Sequence, residues 1–109
     1  MSKYGNKKCV VDGIEFDSIR EGTRYKELTL MQRAGVIHDL NLQVPFKLIP
    51  NIKTRNGHVV RGTKYVADFT YRDGFDRMIV EDAKGVRTDV YKLKKKMMLW
   101  IYGIEIQEV

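Results

Sequence analysis

Asp68, Asp82 and Lys84 stand in two apolar stretches, Tyr65–Tyr71 and Met78–Ala83, where packing alone would place none of them. Each stretch reads as a β-strand, and Asp73-Gly74 between them is a turn signal, so the two should form a hairpin. Side chains alternate along a strand, which puts Asp82 and Lys84 on one face and Glu81 and Ala83 on the other. With the turn centred on Phe75, residues equidistant from it pair, and Asp68 lies opposite Asp82. Such neighbours have Cβ atoms about 4.5–5.5 Å apart. Two facing carboxylates repel unless a positive charge lies between them. A divalent cation supplies it, and aspartate oxygens suit Mg²⁺, which keeps its other positions for water and substrate phosphate. Lys84 could then orient a metal-bound water or stabilise charge developing on the phosphate. That is a phosphodiester-hydrolysis site in outline.

Two other readings stand beside it. A turn shifted by half a residue places Asp68 opposite Glu81; Asp82 is preferred because it alone shares a face with Lys84. Taken singly, each of the three residues is also explained as decoration on the solvent face of an edge strand. Against decoration, Tyr65, Val66, Phe69, Ile79 and Val80 mark both strands as core, and strands disfavour Asp.

The remaining elements must position this hairpin. Lys8–Val11 and Ile14–Phe16 flank Asp12-Gly13, a strong signal for a small N-terminal ribbon. Ser18 with Glu21 three residues on forms a capping box that opens a helix from Ser18 to Ala34, and Gly35 ends it. Its apolar positions are Ile19, Tyr25, Leu28, Leu30, Met31 and Ala34. Gly22 inside it costs about 1 kcal/mol relative to Ala, which points to a close approach to its backbone. Leu42–Ile49 reads as a strand with Pro45 at an edge or end. Pro50–Gly62, with Lys53, Arg55 and Arg61 around Asn56-Gly57, is a loop or a protruding hairpin. After the central pair, Lys64–Tyr71 and Arg77–Ala83, Thr88 caps a second helix over Asp89–Tyr102, closed by Gly103. Its apolar side is Val90, Leu93, Met97, Trp100 and Ile101, with the Met and Trp read as core. Ile104–Val109 alternates as a last strand. The expected fold is α/β (α+β): a single mixed β-sheet flanked by two helices, with an N-terminal β-hairpin.

Composition narrows the partners. At 109 residues and 43% hydrophobic, the chain should be one folded domain over residues 1–109. A net charge of +6 and a pI near 9.5 favour a polyanionic partner. The longest apolar run, Met97–Tyr102, is far short of the roughly 20 residues of a membrane span, and the N-terminus carries no apolar export segment. No membrane partner is expected. The single Cys9 offers no internal disulfide and fits a reducing cytoplasm. His38 and His58 stand alone, so no Cys/His zinc cluster is expected. Lys92, Lys94, Lys95 and Lys96 on the second helix read equally well as a solvated face or as a phosphate-binding row.

Val80-Glu-Asp-Ala-Lys-Gly85 with Asp68 upstream resembles the PD-(D/E)XK nuclease core, an acid on one strand followed by acid-X-Lys on the next. The likeness is nearest to small phage Holliday-junction resolvases of the endonuclease I type. It is carried in order by Tyr4-Gly-Asn-Lys7, Phe16-Asp-Ser-Ile-Arg-Glu21, Val44-Pro45, Asp68-Phe69 and Asp82-Ala-Lys-Gly85, and runs from Tyr4 to about Gly85. A phage family of small uncharacterised proteins shows the same motif string. The chain departs from the pattern in carrying Ala67 where a proline precedes the first acid, and aspartate where endonuclease I enzymes carry glutamate. The second change shortens that ligand by one methylene.

The resemblance implies a restriction-endonuclease-like core and a Mg²⁺-dependent endodeoxyribonuclease, with Mn²⁺ as a substitute. Asp68 and Asp82 would bind metal together with the Ala83 carbonyl, Lys84 would activate or position the attacking water, and Glu21 would hold a second metal or its water. Glu21 is equally explained by helix-start chemistry. By charge and position, and not by the resemblance, Lys7, Lys8, Arg20, Arg24, Arg87, Lys92, Lys95 and Lys96 would contact the DNA backbone. The substrate would be branched DNA in recombination, cut by a homodimer in the cytoplasm of an infected or lysogenic bacterial host. A nicking or transposase-like nuclease acting on duplex DNA, and a nuclease-fold protein that binds nucleic acid without cutting, are the alternatives.

Overall fold

Asp12 and Gly13, at φ 51° and 79°, close a tight turn between β1 (Cys9–Val11) and β2 (Ile14–Phe16). Left-handed backbone at both central residues is what this turn demands and what Asp-Gly supplies. The computed structural model describes residues 7–84 and 86–109. The Tyr4–Asn6 part of the N-terminal motif and Gly85 lie outside them.

Ser18 caps α1 (Ile19–Arg33), its Oγ accepting from the Glu21 N–H at 3.1 Å. The close approach expected at Gly22 comes from the hairpin: a Cβ there would collide with Cys9 Sγ. Absence of that side chain seats the ribbon on the first turn of α1, the turn that carries Glu21. The expected apolar face of α1 is only partly used, since Leu28 is buried while Ile19 and Leu30 face solvent.

β3 (His38–Ile49) begins earlier than Leu42 and forms one edge of a four-stranded sheet of order β3-β6-β7-β8, where the missing N–H of Pro45 is tolerated. Within the basic stretch from Pro50 to Gly62, β4 (Ile52–Lys53) and β5 (Val59–Val60) pair as a separate two-stranded ribbon. β6 (Thr63–Arg72) and β7 (Met78–Asp82) form the central hairpin. The Asp73 carboxylate fixes its turn by accepting from the N–H groups of Phe75 and Arg77 at 2.9 and 3.0 Å. α2 (Asp89–Tyr102) starts at the Thr88 cap and ends at Gly103, φ 67°. β8 (Gln107–Glu108), shorter than the expected Ile104–Val109, pairs parallel with β7 and makes the sheet mixed. The fold is mixed α+β: two helices, a four-stranded mixed sheet and an N-terminal β-hairpin.

Two apolar clusters hold the layers. One packs Phe69 and Tyr71 of β6 with Phe16, Leu28 and Ile37; the other packs Tyr65 and Ala67 with Val80, Tyr91, Met98 and Ile106. A single row of alternate β6 side chains thus serves both clusters, changing from one to the other between Ala67 and Phe69. Asp68 sits at that change. Gln43 lies across from it on β3, between the paired positions Leu42↔Phe69 and Val44↔Ala67, with left-handed backbone at φ 52°. A non-glycine residue in that region marks a local distortion of the strand.

Trp100 corrects the reading of α2. It is 84% exposed, and Val90, Leu93 and Ile101 are also open, while Tyr91 and Met98 are buried. Of the expected apolar side only Met97 packs against the core, beside the buried Tyr91 and Met98. Among the described residues, no helix is long and apolar enough to cross a membrane.

Candidate catalytic site

Phe69 pairs with Glu81 and Thr70 with Val80, so the next step along the hairpin places Asp68 opposite Asp82. This is the register expected from a turn centred on Phe75; the half-residue shift does not occur. Asp68 Oδ2 accepts from the Ala83 N–H at 2.9 Å, which ties the first acid to the backbone between the second acid and Lys84. Asp82 is 1% exposed. Its Oδ2 accepts from the buried Tyr65 hydroxyl at 2.6 Å. Its Oδ1 lies 3.4 Å from Lys84 Nζ, a charge contact without hydrogen-bond alignment, and has no hydrogen-bond partner among the described residues. Lys84 Nζ in turn stands 4.7 Å from the centre of the Tyr91 ring on α2.

Glu21 arrives from α1. Its backbone N–H serves the Ser18 cap, while its carboxyl is buried and feels the charges of Asp17, Asp82 and Lys84. Structural capping and membership of the carboxylate group are therefore compatible, because they use different atoms. Burial raises the Glu21 carboxyl above its ordinary range, and the negative charges of Asp17 and Asp82 add to that rise. Asp68 is pushed up to about 7, first by burial and then by the Asp82 charge facing it, with the Ala83 N–H opposing. Burial, and then the bond to Asp82, raise the Tyr65 phenol. Three acids and one lysine thus converge where the sheet meets α1 and α2.

Among the described residues, no group of three or more His, Cys, Asp or Glu side chains stands ready to hold a metal ion. What the chain offers is a two-carboxylate arrangement. Asp68 Oδ2 and Asp82 Oδ2 are committed to the Ala83 N–H and the Tyr65 hydroxyl, and Asp82 Oδ1 is left buried without a hydrogen bond. Asp68 Oδ1 receives only a long contact from Gln43 Nε2 at 3.4 Å. One oxygen on each acid is available, and that donor set suits Mg²⁺, which binds through one or two carboxylates and keeps several waters.

Glu81, on the opposite face, is built differently. Arg24 Nε and Nη2 donate to its two oxygens at 2.8 and 2.7 Å, and the Tyr71 hydroxyl donates to Oε2. Arg24, expected at the DNA backbone, has its guanidinium drawn into a two-point fork on the buried Glu81, with Glu27 also attached. Of the other basic residues, Lys8 faces Glu15 at 3.4 Å and Arg20 Nη1 reaches the Val109 carbonyl at 3.5 Å. Arg87 and Lys95 meet on Glu108, at 2.7 and 3.4 Å. Lys7, Lys92 and Lys96 are exposed. Sequence reasoning missed Arg24–Glu81, Tyr65 on Asp82, and Glu108. The first and last join residues far apart in the chain and leave no local pattern. Tyr65 is a different case, because a phenol three residues from the first acid was visible as a donor for a buried carboxylate.

Fold and site together define a mixed α+β protein with a buried, opposed carboxylate pair and an adjoining lysine on its central hairpin. The family model described as "Protein of unknown function (DUF1064)" matches residues 1–106, and the chain belongs to that family. No curated protein and no solved structure matches the chain.

Proposed function

We propose that the protein is a metal-dependent, structure-selective DNA endonuclease of the PD-(D/E)XK type, a phage Holliday-junction resolvase working as a homodimer in the bacterial cytoplasm. The observation that carries this reading is Asp82 Oδ1, a buried carboxylate oxygen without a hydrogen bond among the described residues, facing a second carboxylate and beside a lysine. Mg²⁺ or Mn²⁺ would neutralise the pair and supply a water of lowered pKa for attack on phosphorus. Asp68 and Asp82 would hold the metal, with the Ala83 carbonyl as a further ligand and Glu21 holding a second ion or its water. Tyr65 fixes the Asp82 rotamer, and Lys84 holds the attacking water or the charge developing on the phosphate. The net charge of +6, with exposed Lys7, Lys92 and Lys96, supports a polyanionic substrate bound through its backbone. A homodimer follows from the need to cut two opposed strands.

The test is to incubate wild type and Asp82→Ala with a four-way junction, matched duplex and single strand, in Mg²⁺, Mn²⁺ or EDTA. Junction cutting by wild type alone, and only with metal, is expected. Equal cutting of plain duplex would replace the resolvase with a nicking nuclease. Tight junction binding without cutting would leave a nucleic-acid-binding protein of nuclease fold.

A further inference from the structure

Beside the carboxylate pair, the start of β6 and the start of α2 enclose a cleft of about 390 Å³, within the size range of small-molecule sites. Three lysines from three elements line it: Lys64 on β6, Lys84 after β7 and Lys94 on α2. No carboxylate is among its described lining residues. Its apolar surface comes from Val66 and Val90, both open to solvent. Tyr65 and Lys84 also line the cleft, and these are the two side chains that touch the oxygens of Asp82. The cleft and the carboxylate pair therefore share a wall.

We infer that this cleft is a nucleotide subsite: Lys64 and Lys94 hold the phosphate of a nucleotide neighbouring the cut one, and its sugar and base lie on Val66 and Val90. The cation cluster selects an anion, and the apolar surface distinguishes a nucleotide from a bare phosphate. The N-terminus of α2, at the same cleft, adds its partial positive charge. This inference rests on the proposed nuclease function, and it concerns lysines that the charge pattern alone did not single out.

Calorimetric titration of the whole protein with thymidine 3′,5′-bisphosphate in EDTA tests it without any metal. Wild type should bind the bisphosphate more tightly than inorganic phosphate. Lys64→Ala/Lys94→Ala should bind about tenfold more weakly or worse, and Lys64→Arg/Lys94→Arg should keep most of the affinity. Equal binding by wild type and the alanine double variant, equal affinity for inorganic phosphate, or no binding by wild type would each overturn the assignment. With junction DNA, the alanine double variant should raise KM while leaving kcat within about threefold, the pattern of lost uniform binding. A protein that binds bisphosphate in this way but cuts no DNA keeps the cleft and loses the nuclease function. One that cuts with KM unchanged in the double variant keeps the nuclease function and loses the cleft.

Discussion

Glu81 and Asp82 are neighbours on β7, equally withdrawn from water, and the protein treats them in opposite ways. On the α1 face, Glu81 receives a two-point guanidinium and a phenol, so its charge is answered within the chain. On the other face, Asp82 receives one phenol and an unaligned lysine, and confronts a second acid. A buried carboxylate is costly unless paired and hydrogen-bonded. The difference separates an acid whose charge is answered within the chain from one with an oxygen that has no hydrogen bond among the described residues, the oxygen that the proposed function gives to a metal.

Breaking the Glu81 side should have the largest effect on stability. Glu81→Ala leaves the part-buried Arg24 guanidinium with Glu27 alone and the Tyr71 hydroxyl without its acceptor, and a loss of about 2–4 kcal/mol is expected in urea unfolding. The double variant Arg24→Met/Glu81→Leu should regain most of that loss. If the single variant is neutral, Glu81 is no structural anchor and the contrast fails.

The acid pair predicts an unusual pH dependence. Asp68 rises in the folded state to about 7 from an ordinary 3.8. Below pH 4 the carboxyl is protonated in both states, and its contribution to stability is fully present. Between about pH 4 and 7 the folded state holds the extra proton, so metal-free stability falls as pH rises. A decrease on the order of 1–2 kcal/mol from pH 5 to pH 8, or about 5–10 °C in Tm, is expected in EDTA. Asp68→Asn should flatten the profile, and Mg²⁺ should restore the loss at pH 8. A metal-free Tm that climbs over this range would contradict the crowded pair.

The two phenols sharpen the comparison at a smaller scale. Tyr71→Phe leaves Glu81 with its arginine and should cost about 1 kcal/mol whether or not metal is present. Tyr65→Phe deprives Asp82 of its one hydrogen bond and should cost about 1–3 kcal/mol in EDTA, less in Mg²⁺. Equal metal sensitivity in the two variants would erase the distinction between the faces.

Much of this site could be read from the sequence because it depends on local rules. The Asp73-Gly74 turn set the register, strand parity joined Asp82 to Lys84, and the Ser18 cap fixed where Glu21 begins its helix. What escaped depends on tertiary placement. Arg24 and Glu81 meet across α1 and β7 with no spacing to announce them. Trp100 obeys the helical period yet faces solvent, because periodicity shows that a stripe exists and not which side the sheet covers. Lys64 stands on β6 four residues before Asp68, yet strand parity could not bring it to Lys84, because the row of β6 side chains changes cluster at Asp68. Lys94 needed the docking of α2 before it could be told apart from its neighbours in the lysine run.

The central claim is that the Asp68–Asp82 pair, and not Glu81, receives an outside cation. Titrating Mn²⁺ into wild type, Asp82→Asn and Arg24→Met/Glu81→Leu at pH 8, with free Mn²⁺ followed by electron paramagnetic resonance, tests it directly. Binding by wild type and by the Arg24/Glu81 variant, lost in Asp82→Asn, is the predicted result. Undiminished binding in Asp82→Asn, or none in wild type, would contradict it.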